Sequence, residues 1–140
     1  MEKIPYKDIE QIIPHRYPVI MIDQYRKVDS NTAWSNKQFT PDSYGCENGW
    51  VLESILIEAC AQTVAAHFGY QGLEDETGEI GSGMLTSVDE FVFHEMVKDD
   101  SEIDVRIVKT NEVGPFKLIA CEIRVKDKLV ANGRIKIFNS

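Results

Sequence analysis

The chain has 140 residues, three cysteines and a formal charge of −8, which is the size of one domain that buries its own core. The acidic balance argues against nucleic acid as a partner. No apolar run approaches the roughly 20 residues of a membrane span, and "MEKIPYKDIEQ" lacks the basic-then-apolar pattern of a signal peptide. Cys46, Cys60 and Cys121 are odd in number and widely spaced, which argues against a disulfide framework or a zinc ribbon and fits a reducing, cytoplasmic setting. No metal or cofactor is implied.

With no repeat and no Pro/Gly-rich linker, residues 1–140 are expected to form one domain. Residues 6–13, "YKDIEQII", suit a short helix stopped by Pro14. Residues 19–29 and 32–40 read as two strands around a Ser30-Asn31 turn, and residues 40–52 as a loop rich in turn formers. A helix is predicted from Leu52 to Phe68, with Gly69 as its C′ residue. The glycine-punctuated "GLEDETGEIGSG" connects it to strands at Met84–Phe93, Ile103–Asn111 and Phe116–Val125. A fourth strand, Leu129–Phe138, closes a hairpin over an Asp127-Lys128 turn. Apolar and basic residues alternate along this hairpin, as in an antiparallel sheet with one face buried.

From Lys117 to Lys136 there are six basic residues against two acids, a net +4 that leaves −12 on the rest of the chain. This stripe, with Arg124 and Lys126 in it, is either a docking surface for an acidic partner or an ordinary solvated strand face.

The helix is apolar around nearly its whole circumference, so it must be wrapped, by a curved sheet and by a second subunit. One narrow stripe breaks the pattern. At about 100° per residue, Ser54, Gln62 and Ala65 lie within roughly 40° of Glu58, and Ala61 within about 60°. Small neighbours leave room for a ligand. A buried carboxylate there would have a raised pKa and suit general acid–base work. The alternative is a structural Glu hydrogen-bonded to the backbone or to Gln62.

Three segments carry a family resemblance: "IIPHRYPVIMIDQ" (12–24), "ESILIEACAQTVAA" (53–66) and "VDEFVFHEMVKDDSEIDV" (88–105). Their order and spacing resemble the 3-hydroxyacyl-acyl carrier protein dehydratases. Within that group, "CENG" (46–49) and "AQTVAAHFGY" (61–70) resemble a divergent, aryl-polyene-type branch. The resemblance implies an α+β hotdog fold, a curved antiparallel sheet wrapped around one long helix. It implies Glu58 as the catalytic acid and Gln62 as the glutamine one turn later. It also implies an acyl carrier protein or coenzyme A thioester as substrate, and a homodimer or higher oligomer, with a paralogue as a further option.

The family's catalytic His sits in a loop before the helix that this chain lacks, and an ungapped count places Tyr44 there. Within this family His15, His67 and His94 do not match the catalytic position. Dehydration needs a base for the C2 proton and an acid for the departing hydroxyl. Tyr44, Glu47 and Asn48 are the nearest replacements in sequence. Trp50 is a candidate for lining an acyl channel, and Ser54, Gln62, Ala61 and Ala65 for contacting substrate. The alternatives are a thioesterase that uses Glu58 without a His and a non-catalytic, acyl-binding hotdog subunit.

Overall fold

The computed structural model describes residues 8–75 and 84–138. A six-stranded antiparallel sheet in the order β1-β2-β6-β7-β8-β5 curves around one helix. Its strands are β1 (Gln24–Lys27), β2 (Thr32–Gln38), β5 (Met84–Phe93), β6 (Glu102–Val113), β7 (Phe116–Val125) and β8 (Lys128–Phe138). A two-residue pair, β3 (Cys46–Glu47) and β4 (Trp50–Val51), precedes the helix α1 (Glu53–Glu74).

Alternation places the core. Ile103, Val105 and Ile107 of β6, Ile119, Cys121 and Ile123 of β7, and Ile135 and Ile137 of β8 are buried. They share one cluster with Leu56, Ala59, Cys60, Val64 and Ala66 of α1. The helix forms although Ile55, Ile57, Thr63 and Val64 are β-branched, because packing outweighs intrinsic propensity. A buried polar tie joins it to the sheet: the Ser35 and Thr63 hydroxyls lie 2.6 Å apart, and Thr63 donates to the Ala59 carbonyl.

Several boundaries differ from the sequence expectation, four of them for a local reason. The helix runs past Gly69 to Glu74. Gly69 does not end it but admits another segment, since a Cβ there would stand 1.9 Å from the Ile12 carbonyl oxygen. In place of a helix over 6–13 there is a 3₁₀ turn at Ile9–Gln11; residues 6 and 7 lie outside the described residues. The strand expected from Val19 begins only at Gln24, because the Val19 carbonyl and the Met21 amide bind a helix side chain instead of a neighbouring strand. The β7–β8 turn falls on Lys126 and Asp127, one residue early, and both have positive φ (50° and 68°). That is the type I′ geometry that matches strand twist. The predicted connection at 72–83 is helical up to Glu74, and 76–83 lie outside the described residues.

A second buried network anchors the far end of α1. The Tyr25 hydroxyl lies 2.5 Å from His67 Nδ1, and His67 Nε2 lies 2.8 Å from the Ser30 carbonyl. A carbonyl only accepts, so Nε2 carries the proton and Nδ1 accepts from Tyr25. Burial holds the His67 pKa below its usual value; the Ser30 carbonyl, Asp29 and Glu74 oppose this less strongly, and the nearby Lys27 cation reinforces it. Burial also pushes the Tyr25 phenol up.

Two outcomes follow for stability. Gly69→Ala is expected to destabilise the fold by about 1–3 kcal/mol through overpacking against Ile12, measured by urea unfolding. Because His67 is held neutral, its stability contribution is complete above the unfolded imidazole pKa of about 6.5. As pH falls below that, the unfolded chain takes up the proton first and stability drops by up to about 1.4 kcal/mol per pH unit. Unfolding titrations at pH 7.5 and 5.5 should show this loss in the wild type and lack it in His67→Gln.

Candidate active site

One glutamine organises the polar stripe of α1. Gln62 is fully buried. Its side-chain oxygen accepts from the Met21 amide at 2.7 Å, and its nitrogen donates to the Val19 carbonyl and to Glu58 Oε2, both at 2.8 Å. Gln62 therefore fixes the Glu58 carboxylate and the 19–21 backbone together. None of its surface is exposed in the single chain.

Glu58 itself is not buried. Its side chain is 36% exposed in the single chain, so the sequestration expected from the sequence is absent here. The carboxylate faces a cavity of about 100 Å³ lined by His15, Ala61, Val64, Ala65, Leu85 and Ile137. Ala61 and Ala65 are the small neighbours that leave this space. His15 Nε2 lies 3.7 Å from Glu58 Oε2.

A second cleft, of about 270 Å³, opens at the start of α1. Trp50, Leu52, Leu56, Met96 and Val97 line it together with Asn48 and three acids, Glu47, Glu53 and Glu95. Leu52, the N-cap residue, provides no side-chain cap.

The profile of the ApeP dehydratase family, ApeP-like, matches residues 7–140. The chain belongs to the ApeP-like dehydratase family. The 3-hydroxyacyl-acyl-carrier-protein dehydratase FabZ of Clostridium tetani is 30% identical over 144 residues, covering 96% of each chain. FabZ of Sinorhizobium medicae is 27% identical over 137 residues, covering 92% of this chain and 85% of the relative. The solved dehydratase heterocomplex ApeI:P from Xenorhabdus doucetiae superposes with a TM-score of 0.84 at 17% identity, covering 98% of this chain and 91% of that one. At that identity the likeness establishes the hotdog fold. Membership makes this chain a dehydratase-like protein of the hydro-lyase class.

The ApeP-like chain brings some predicted residues together and separates others. Glu58, Gln62, Ala61 and Ala65 gather at the smaller cavity. Asn48, with a positive φ of 54°, and half-buried Trp50 line the other cleft. Ser54 is exposed, and Tyr44 is 52% exposed and lines neither space. Arg124 is drawn to Glu122 at 3.2 Å and donates to the Asp127 carbonyl. Lys126 is exposed at the turn, with no ion pair among the described residues. Arg124 pairs with Leu129, about 27 Å of strand rise from Ile137 at the Glu58 cavity. The residue that sequence reasoning set aside is His15. It stands within the quoted Pro-His-Arg-Tyr-Pro segment, which the Gln62 bonds to residues 19 and 21 hold against the Glu58 helix. Among the described residues no group of three His, Cys, Asp or Glu side chains could hold a metal ion, and no helix is long and apolar enough to cross a membrane.

Proposed function

We propose that the chain dehydrates 3-hydroxyacyl thioesters presented by acyl carrier protein or coenzyme A, in a cytoplasmic, lipid- or polyene-forming synthesis. The observation that carries this is the Glu58 carboxylate, clamped by Gln62 over a cavity of small and apolar side chains. A fixed acid at such a wall can protonate a departing hydroxyl without reorganising. The cleft at the start of α1, with Trp50 at its edge, accepts the remaining acyl chain. The start of a helix presents backbone amides that favour a developing negative oxygen. Tyr44 and Asn48 meet Glu58, in this proposal, only from a second subunit. Arg124 and Lys126 mark the end of the sheet where an acidic carrier would dock, with Lys126 the more available cation.

The second subunit has a place to lie. β5 is an outer strand of the sheet and exposes Leu85, Val88 and Val92, while Met96 beyond it is 66% exposed. Unpaired strand edges with apolar side chains recruit another chain, and Leu85 also lines the Glu58 cavity. We propose a hotdog dimer, or a pairing with a paralogue, across this edge.

Two experiments test these statements. Incubation with a 3-hydroxyacyl thioester should produce the ultraviolet absorbance of a conjugated enoyl thioester, and Glu58→Gln should reduce the rate by about 10²–10⁴-fold. Release of free thiol in place of that absorbance would convert the assignment to hydrolysis. Sedimentation should show at least a dimer, and the pair Val88→Asp and Val92→Asp should shift it to monomer. A wild-type chain that sediments as a monomer would refute the edge pairing.

A further inference from the structure

We propose that His15 is the base partner of Glu58, so that one chain supplies both proton-transfer groups. The inference rests on the dehydratase chemistry proposed above and identifies the group left open there. Three observations carry it. His15 and Glu58 line the same cavity, and their nearest atoms, Nε2 and Oε2, are 3.7 Å apart. That is too long for a direct hydrogen bond but close enough for one substrate oxygen to touch both. The segment bearing His15 is held in register with Glu58 by Gln62, which bonds both the carboxylate and the backbone at residues 19 and 21. Arg16 stiffens the same turn by donating to the Ile13 and His15 carbonyls. Finally, His15 Nδ1 is buried without a partner among the described residues. A side chain kept only for packing rarely leaves such an atom unmatched, and catalytic residues are one of the recognised exceptions.

The proton accounting closes within the pair. His15 begins neutral, with its proton on Nδ1 and a lone pair on Nε2, and Glu58 begins protonated. Nε2 removes the C2 proton, and the electrons of that C–H bond form the C2=C3 double bond. The C3–O bond breaks with its electrons on oxygen, which takes the Glu58 proton and leaves as water. His15 is then a cation and Glu58 an anion. The Nε2 proton returns to Oε2 through the newly formed water, which spans the 3.7 Å gap, and the starting state is restored without a further reactant. A cavity of about 100 Å³ holds about three water volumes, room for the reacting carbons but not for a whole acyl chain.

The test separates the base from the acid. The full-length chain, with no paralogue added, is assayed on a 3-hydroxyacyl thioester as wild type, His15→Gln and Glu58→Gln. Each is also given a saturated acyl thioester in heavy water, and C2 hydrogen exchange is followed by mass spectrometry. The expected result is loss of dehydration by about 10²-fold or more in both variants, with C2 exchange lost in His15→Gln and retained in Glu58→Gln. Circular dichroism and sedimentation identify a variant that has failed to fold, in which case His15→Asn replaces it. Dehydration by His15→Gln within threefold of wild type, alongside a dead Glu58→Gln, would overturn the base assignment and leave the dehydratase function standing. Undiminished C2 exchange in His15→Gln would do the same, as would dehydration that appears only when a second, histidine-bearing subunit is added. No dehydration by any form would take down the function and the base assignment together.

Discussion

The amide of Gln62 is the interaction on which the site depends. It is buried, and its bonds serve two purposes. One holds the carboxylate of Glu58, and two hold the backbone of a segment that would otherwise continue a strand. An amide is suited to this because it is donor and acceptor at once and carries no charge to desolvate. Loss of the amide would leave two backbone groups without partners in the interior, and buried orphans are expensive. The same group thus couples fold and site: the loop cannot shift without releasing the carboxylate.

Much of the architecture is legible in the residue pattern, because its signals are periodic. The alternation of Ile103, Val105 and Ile107, and the all-round apolar surface of α1, dictate a sheet around a helix whatever the details. The departures arise where a single residue answers to a distant neighbour. Gly69 resembles a helix stop, and only the approach of Ile12 shows that it is a contact point within the helix. Residues 19–23 have strand composition, but the Val19 carbonyl and the Met21 amide bond a side chain of α1.

The site was legible in its helical half and obscure in the rest. Helical spacing alone places Glu58, Gln62, Ala61 and Ala65 on one stripe, and they do line or support one cavity. The degree of burial is another matter. A single chain leaves Glu58 half exposed, since the surface that would cover it is not written into the helix itself. His15 lies more than forty positions from Glu58, and no periodicity links them. Tyr44 and Asn48 show the converse, being near the helix in sequence yet outside the carboxylate's cavity within one chain.

The segment that runs from Ile9 to Ile22 touches α1 twice, at Gly69 through the Ile12 carbonyl and at Gln62 through residues 19 and 21. It behaves as a strap buckled at both ends across the central rod. Its own Ile9, Ile12, Ile13, Met21 and Ile22 side chains are buried in the core. Trimming this part of the protein as though it were a dispensable leader would open the interior and dismantle the acidic centre in one stroke.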